Sequence, residues 1–411
     1  MLSNYFNTTP SGTTIININD VINLSSTMII NSTDTPYIDN IILLNPSITT
    51  FIFEPGNYKL INILKINVNN IKFIGHTGIS TDVYIEQTMN FDGILLQANN
   101  IVLQSISVKC TFAGKNSLIV ASANNTLVAG CYFYCSDDTF GIYYAGPSML
   151  TEGKSTLDAY FNYELDTGNI FYNNVVYSKY SGDSVSFSLQ YNSKFVYNFI
   201  RGGKVAIYMC RSCNIYNNKL MNSTTHGIYI SLPSDNLNII CNKICDSTYS
   251  GIVMKNQLEH GVFLRYDYNI IIKHNTIFGA MFYGIEINNA NDVHIDKNNI
   301  IAGSSMAIYA YDINKLKITY NKIAYFTFAV FLENSQDIEI NHNNILSEFP
   351  NIGQNGIKIT SSINTNITNN NVCGKYVYDL IADNGINTVI LSNNIIPYYT
   401  ITDERYVFDV I

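Results

Sequence analysis

The chain has 411 residues, of which 47% are hydrophobic and only 13% charged, and its formal net charge is −8 at neutral pH. This length suits one large domain or two ordinary ones. Because binding to nucleic acid needs a basic surface that releases counterions, an acidic and sparsely charged chain excludes nucleic acid as a general partner.

Residues 1–40 open the chain without regular periodicity. They predict an N-terminal cap, which would keep the open edge of a stacked sheet from pairing with another chain. The first residues do not form a charged and then apolar leader, and no apolar run is long enough for a membrane span. The compartment is therefore left open between cytoplasm and virion.

Residues 41–396 repeat a unit of about 23 residues. One part is a small residue followed by alternating apolar residues, as in Gly227-Ile-Tyr-Ile. Another is an Asn between two apolar residues, as in Ile215–Asn218–Leu220. Self-similarity at this period indicates a repeat architecture, and alternation with a period of two indicates β-strands. Three short strands per repeat predict a parallel β-solenoid in which each strand pairs with the coils above and below.

The Asn recurs ten times at the same offset from its apolar neighbours. Because an unpaired buried amide is costly, we expect each Asn to sit at a tight bend with φ > 0 and to hydrogen-bond the Asn of the next coil. The ten positions are Asn173, Asn198, Asn218, Asn242, Asn275, Asn298, Asn321, Asn343, Asn370 and Asn393. The sequence thus predicts an Asn ladder.

The strand after the small residue defines the first sheet, the strand ending at the Asn the second, and the strand after the Asn the third. First-sheet strands are predicted to begin at residues 93, 117, 141, 184, 206, 227, 251, 284, 307, 329, 356 and 379, which gives 11–12 coils. Two steps, of 43 and 33 residues, are too long and place loops at 146–169 and 256–269. Solenoid insertions often border a binding face, so these loops are predicted to wall a groove over the first sheet. Residues 397–411 are predicted to form a C-terminal cap or a subunit contact.

The segment Phe51–Gly78, FIFEPGNYKLINILKINVNNIKFIGHTG, has a Pro-Gly-x-Tyr bend before the regular coils. With the Asn bend and the Gly-Ile-x-Ile strand, it resembles the pectin lyase-like right-handed parallel β-helix superfamily. The resemblance covers roughly residues 40–395. It implies an all-β, right-handed parallel β-helix and a carbohydrate-related function, although one fold hosts many functions.

Outward positions of the first sheet are predicted to form columns rich in Tyr. One column would contain Tyr143, Ser186, Tyr208, Tyr229, Val253, Glu286, Tyr309 and Phe331, and the next would contain Ser188, Cys210, Ser231 and Lys255. Exposed Tyr rings suit sugars, although stacked Tyr residues also stabilise a sheet. The candidate substrate-binding residues are Tyr143, Tyr208, Arg211, Tyr229, Lys255, Glu286 and Tyr309.

Candidate catalytic residues precede these strands, namely Asp138, Asp183, Lys204 and His226. Two carboxylates about 6.5–9.5 Å apart would suit an inverting glycoside hydrolase. A lyase would instead need a base such as His226, Tyr229 or Lys204. It would also need a charge to neutralise a uronate, supplied by Lys204, Arg211, Lys255 or a bound calcium. Turn-forming Asp and a hydrogen-bonded turn His are the simpler roles for these residues.

Asp137-Asp138 and His226-Gly227 resemble two parts of the polygalacturonase motif. They lie three predicted coils apart, and the Asn-Thr-Asp and Arg-Ile-Lys parts are missing, so those roles do not carry over. The eight cysteines show no disulfide pattern. Cys210 and Cys213 are predicted to lie on a different sheet from Cys241 and Cys245, which favours core thiols over a metal site.

Two functions remain. The chain is either a carbohydrate-active enzyme (lyase, hydrolase or epimerase) or a non-catalytic glycan-binding or structural protein of a surface or virion spike. A polysaccharide or glycan is the expected partner in both, calcium is the one cofactor considered, and a homotrimer is expected for a spike.

Overall fold

Three parallel β-sheets wind around one axis in the computed structural model, which describes residues 15–135, 141–147, 156–178, 182–231, 233–255, 267–301, 303, 305–324, 326–347, 355–374 and 381–397. The predicted all-β solenoid is confirmed, with about 13 coils. The sequence predicted 11–12 coils because it did not identify the strand Leu64–Ile66, which forms a further coil before residue 93. Ile63 stands there in place of the small residue that marks the other first-sheet strands.

The sheets stack in parallel register along the whole described chain. The first-sheet strands are Leu64–Ile66, Ile94–Leu96, Leu118–Val120, Ile142–Tyr144, Asp183–Ser188, Lys204–Tyr208, Ile228–Ser231, Ile252–Lys255, the first halves of Tyr283–Asp296 and Met306–Thr319, Phe328–Glu333, Asn355–Thr360 and Ile381–Asp383. The second-sheet strands are Thr27–Ile30, Thr50–Phe53, Lys72–Gly75, Val102–Gln104, Leu127–Ala129, Ile170–Tyr172, Lys194–Val196, Asn214–Tyr216, Asp235–Ile240, Asp267–Lys273, the second halves of the two long strands, Gln336–Asn341, Ile363–Thr368 and Val389–Leu391. The third-sheet strands are Gly56–Leu60, Val83–Gln87, Ser107–Cys110, Tyr132–Cys135, Val175–Ser178, Phe199–Arg201, Lys219–Met221, Lys243–Cys245, Thr276–Phe278, Asn299–Ile301, Lys322–Ala324, Asn344–Ser347, Asn371–Gly374 and Asn394–Pro397.

Few other elements interrupt the coils. They are the α-helices Ile41–Leu44 and Thr156–Phe161, the 3-10 helices Ile18–Asp20 and Ser80–Asp82, and the short strand pair Asp166–Thr167 and Gln190–Tyr191. No helix among the residues that the structure describes is long and apolar enough to cross a membrane. The strand Thr27–Ile30 pairs in parallel with Thr50–Phe53. The division of the chain at residues 40 and 396 stays a prediction.

The core is a column of inward apolar side chains, because alternate residues of each strand point to the axis. Ile228 pairs with Ile252, and Ile252 with Ile285, so identical side chains stack from coil to coil. The small residue before these strands is a packing requirement. A Cβ on Gly227 would overlap the side chain of Ile244. The glycine thus lets the first-sheet strand start close against the third sheet.

The Asn ladder is present and its amides are fully paired. Asn218 Nδ2 donates to Asn242 Oδ1 at 2.9 Å and to the Phe195 carbonyl at 2.9 Å, and Asn242 Nδ2 donates to Asn275 Oδ1 at 3.0 Å. Each Oδ1 also accepts the backbone N–H of the preceding ladder Asn, as Asn242 Oδ1 does from Asn218 at 3.0 Å. Since both amide hydrogens and the oxygen are bonded, burial of these polar groups is compensated.

Two details of the predicted ladder are wrong. The first ladder amide of the series is Asn174, which bonds to Asn198 at 3.2 Å, and not Asn173. The positive φ belongs to the residue before each ladder Asn, as at Asn217 (54°) and Cys241 (56°). The bend places that preceding side chain outside, so its chemistry varies, while the following Asn points to the axis.

All eight cysteines are free thiols. Cys210 Sγ lies 3.1 Å from the Phe187 carbonyl, and Cys213 Sγ lies 3.4 Å from the Gln190 carbonyl. Both side chains are buried in the core.

Candidate functional site

A continuous row of outward side chains runs along the first sheet. The register aligns Tyr143, Ser186, Ala206, Tyr229, Val253, Glu286, Tyr309, Phe331 and Lys358 in consecutive strands. We call this row and its immediate neighbours the first face. Of the seven candidate binding residues predicted from the sequence, six lie in this row or directly beside it in the structure.

Tyr208 lies one column away from its predicted place. The register pairs it with Ser188 and Ser231, while Ala206 occupies the position opposite Tyr229. The prediction took Ala206 as the small residue that starts the strand. Val205 and Ile207 are the buried core residues, so the strand begins two residues earlier. Cys210 accordingly lies in the core and not in the outward column.

Asp183 anchors the first cluster on this face. Its Oδ1 lies 3.1 Å from Lys204 Nζ, and its Oδ2 accepts a hydrogen bond from the Tyr208 hydroxyl at 3.1 Å. Lys204 Nζ also lies 4.8 Å from the centre of the Tyr229 ring. One ammonium group therefore serves a buried carboxylate and an aromatic ring.

Burial controls the protonation of this cluster. It raises the pKa of Asp183, and the charge and hydrogen bond of Lys204 oppose that rise. Burial and the nearby Asp183 carboxylate raise the pKa of Tyr208 well above its usual range. Burial and the same carboxylate also raise the pKa of Tyr143. Both phenols therefore stay protonated at neutral pH and can donate hydrogen bonds.

His226 stacks on Tyr229 with ring centres 5.5 Å apart. Burial, followed by the charges of Lys204 and Lys255, lowers its pKa to about 4. Its Nδ1 accepts the Ser250 backbone N–H at 3.3 Å, which assigns the proton of the neutral ring to Nε2. In this tautomer the imidazole offers a hydrogen-bond donor and not a free base.

Glu286 anchors a second cluster. Its Oε1 lies 2.8 Å from Lys255 Nζ and 3.3 Å from Asn288 Nδ2, and its Oε2 accepts from Ser250 Oγ at 3.2 Å. Glu286 is buried and Lys255 is partly exposed. The carboxylate is thus fully engaged by groups on its own and neighbouring strands.

The far end of the face is aromatic. Tyr283 stacks on Tyr309 with ring centres 5.4 Å apart, and the Tyr309 hydroxyl donates to Glu333 Oε2 at 2.7 Å. Lys358 Nζ lies 4.6 Å from the centre of the Phe331 ring. Burial and the hydrogen bond to Glu333 raise the pKa of Tyr309 well above its usual range.

Several solved structures resemble the β-helix of this chain. The A-module of mannuronan C-5 epimerase AlgE6 from Azotobacter vinelandii matches with a TM-score of 0.56 at 13% identity, covering 89% of this chain and 98% of that one. The periplasmic alginate epimerase AlgG matches with a TM-score of 0.52 at 10% identity, covering 84% and 76%. The tailspike protein TSP3 of bacteriophage CBA120 matches at 0.46 and 11% identity, covering 92% and 63%.

These similarities show the fold of this chain, a right-handed parallel β-helix. The family model described as periplasmic copper-binding protein (NosD) matches residues 251–388 of this β-helix. No curated protein matches the sequence significantly. Identities this low establish the fold and not the activity.

The β-helix does not bring Arg211 onto the first face. Arg211 lies at the corner between the first and second sheets, where its guanidinium carbon is 4.2 Å from the centre of the Tyr160 ring and 4.0 Å from that of Tyr163. Its Nε lies 3.7 Å from Asp235 Oδ2. The helix Thr156–Phe161, which belongs to the first long loop, packs over this corner, where Arg211 contacts its Tyr160 ring.

Some predicted features fall outside the described residues. They are Asp137, Asp138, residues 148–155 of the first loop and residues 256–266 of the second. The predicted walls of the groove and the catalytic role of Asp138 therefore stay predictions.

The sequence reasoning missed the aromatic residues directly before the Gly-Ile-x-Ile strands. Tyr249 lies 5.6 Å from His226 and 5.5 Å from Phe282 between ring centres, and these rings extend the face sideways. Tyr249 and Phe282 both stand two residues before the glycine of their repeat. That shared offset is the signal that could have identified them.

The first face carries acids and bases in equal number, and two of its three lysines are ion-paired. Its described residues include the acids Asp183, Glu286 and Glu333 and the bases Lys204, Lys255 and Lys358. Among the residues described here, no group of three or more His, Cys, Asp and Glu side chains could hold a metal ion. Since the carboxylates of Asp183 and Glu286 are already bonded to lysines, they do not form a calcium site in this arrangement. Calcium binding stays a prediction.

Proposed function

We propose that the chain binds a polysaccharide along the first face. The observation that carries this proposal is a row of aromatic rings and hydrogen-bonding groups in whose central part Lys204 and Lys255 are paired with carboxylates of the same face. Sugar C–H groups pack on aromatic rings, and phenol, imidazole and amide groups supply hydrogen bonds to sugar hydroxyls. The exposed ring of Tyr249 and the half-buried ring of His226 offer such a platform, with Tyr283 and Tyr309 further along, and the buried ring of Tyr229 supports His226 from below.

The balance of charge favours a neutral stretch of sugar at this face. A uronate needs a cation that is free to meet its carboxylate. Drawing a lysine away from a buried carboxylate would leave that carboxylate uncompensated, which is costly. Lys204 and Lys255 are held by Asp183 and Glu286 at 3.1 and 2.8 Å. The first face would therefore recognise ring surfaces and hydroxyls more than acidic groups.

Titration of the full chain with neutral and uronate oligosaccharides, measured by calorimetry, tests this proposal. We expect Tyr249→Ala to weaken binding of the neutral glycan about tenfold, since a stacking ring contributes on the order of 1 kcal/mol or more and the Tyr249 ring is exposed. Tyr249→Phe keeps the ring and is the matched control, with a loss of about twofold from the hydroxyl. Equal affinities of the two variants and the unchanged chain would remove the first face as a glycan site.

The second candidate is an enzyme acting on a polysaccharide, as a lyase, hydrolase or epimerase. It is supported by the convergence of an ammonium, a phenol and an imidazole at Lys204, Tyr229 and His226. An acid-sugar epimerase or lyase would remove the proton beside a uronate carboxylate, which requires a base and a cation. The structural neighbours named as alginate epimerases make uronates the first substrates to test.

Incubation of uronate and neutral polysaccharides with the chain separates the two candidates. New ultraviolet absorbance would report a lyase, new reducing ends a hydrolase, and deuterium uptake from heavy water beside the carboxylate an epimerase. Asp183→Asn and His226→Ala are expected to abolish any such activity. Glycan binding without any product would leave the binding function alone. Light scattering would test the expected homotrimer of a spike protein.

A further inference from the structure

The third sheet carries a second outward surface with the opposite electrostatic character. Its outward strand positions include the cations Lys59, Lys109, Arg201, Lys219, Lys243 and Lys322. The one acid at an outward position of the described third-sheet strands is Glu86. Glu86 is paired with Lys109 at 3.0 Å. In a chain with a net charge of −8, this surface is a local reversal of sign.

Three of these cations occupy consecutive strands at the centre of the sheet. Arg201 lies on the strand beside Lys219, and Lys219 and Lys243 are register partners that face each other directly. Like charges placed opposite each other on a sheet are destabilising. No carboxylate among the described residues lies within ion-pair distance of these three side chains, and the closest acid along the chain is Asp246, which follows the strand of Lys243.

Aromatic rings adjoin the cations on the same surface. Tyr134 and Tyr177 stack with ring centres 5.4 Å apart and nearly parallel planes, and the Arg201 guanidinium lies 5.8 Å from the centre of the Tyr177 ring. Lys219 Nζ lies 5.5 Å from the centre of the Phe199 ring. We call Tyr134, Tyr177, Phe199, Arg201, Lys219 and Lys243 the basic platform. These residues are partly or fully exposed.

We infer that the basic platform is a second glycan-binding site, which takes an anionic polysaccharide running along the coil axis. Strands repeat at about 4.8 Å, so the three cations can meet acidic groups of a polymer over successive coils. The ligand would offset the repulsion between Lys219 and Lys243, which the protein itself leaves uncompensated. The stacked tyrosines supply the flat apolar surface for the sugar rings.

An acidic polysaccharide fits this platform better than nucleic acid does. Nucleic acid binding rests on many phosphate contacts, and the platform offers three cations within an acidic chain. A carboxylated or sulfated sugar needs fewer charges and uses the ring surface as well. The inference does not depend on the first face, because no residue is shared between the two sites.

Calorimetric titration of the full chain with polygalacturonate oligomers, dextran sulfate and a DNA duplex tests the inference. Polygalacturonate reports carboxylates and dextran sulfate reports sulfates, and binding of either supports the site. We expect Lys243→Gln to weaken binding about fivefold, as the loss of one partly exposed ion pair would. Lys219→Gln combined with Lys243→Gln is expected to weaken it about tenfold or more.

Lys322→Gln is the matched control. Lys322 is exposed and stands in the same outward column as Lys243, three strands further along. Its loss should change affinity by less than about twofold if the platform is a local site. Equal losses for Lys243→Gln and Lys322→Gln would mean diffuse attraction and overturn the inference. Loss of acid-glycan binding in Tyr249→Ala alone would assign that ligand to the first face and overturn the inference. Absence of acid-glycan binding, or preference for the duplex, would also overturn it.

Discussion

The first face and the basic platform lie on different sheets of the same coils, and they differ in whether their lysines are paired with carboxylates. On the first face, Lys204 is held by the buried Asp183 and Lys255 by the buried Glu286. On the platform, Lys219 and Lys243 face each other across neighbouring strands with no carboxylate beside them among the described residues. Internal pairing removes a charge from recognition, while an uncompensated charge remains available to a ligand.

This difference in ion pairing also predicts which lysines matter for stability and which for ligand binding. Truncating one member of a buried ion pair leaves the other charge without compensation and costs far more than removal of a surface charge. The first face should therefore be sensitive to substitution of its lysines, and the platform should tolerate such changes in the fold while losing ligand affinity.

The largest expected effect is on the first face. Lys204→Gln leaves the Asp183 carboxylate buried with only the Tyr208 hydroxyl, and we expect a loss of about 3 kcal/mol in the free energy of unfolding. Chemical denaturation measures it. Lys243→Gln, the comparison on the platform, should change stability by less than about 0.5 kcal/mol.

Asp183→Asn in the Lys204→Gln chain is the control for this assignment. It removes the uncompensated charge, so most of the lost stability should return. If the double variant stays as unstable as Lys204→Gln, packing of the lysine stem is responsible instead of the ion pair.

The next effect is a dependence of stability on pH. The folded pKa of His226 is lowered to about 4 from an ordinary value of 6.5. Between these values the unfolded chain binds a proton that the folded chain does not, so the stability contributed by the neutral ring is present above pH 6.5 and is lost as the pH falls toward 4. Urea denaturation over this range should show a weaker decline in His226→Gln. An identical decline in both chains would contradict the buried neutral imidazole.

The smallest expected effect distinguishes the two faces by salt. Raising the ionic strength from about 0.05 to about 0.5 M should weaken acid-glycan binding at the platform several-fold, because exposed charges are screened. Binding of a neutral glycan at the first face should change by less than about twofold under the same conditions. Titrations at both salt concentrations measure this, and equal salt dependence would remove the electrostatic distinction.

Much of this architecture could be predicted from the sequence because the repeat constrains it physically. A polar Asn that must be satisfied at every coil, and a glycine that must fit against the third sheet, recur at fixed offsets. The prediction was wrong where a neighbouring residue had the same type as the residue that marks the repeat. Asn173 precedes the true ladder residue Asn174, and Ala206 imitates the small residue that starts a strand.

The site was less predictable. Outward positions follow from the register, so Tyr229, Lys255, Glu286 and Tyr309 could be assigned to one face. Ion pairing and tautomers depend on side-chain reach between coils, which spacing does not encode. Lys219 and Lys243 each follow a predicted ladder Asn directly, so the repeat spacing aligns them in the sequence as well. Whether a carboxylate reaches them depends on the side-chain geometry between coils, and the spacing does not encode that.

One set of affinities tests the separation of the two faces most directly. A neutral oligosaccharide and a polygalacturonate oligomer are each titrated into Tyr249→Ala and into the Lys219→Gln and Lys243→Gln double variant. We predict that the first variant loses the neutral ligand and keeps the acidic one, and that the second does the reverse. Loss of both ligands in the same variant, with the fold intact by circular dichroism, would contradict the existence of two sites.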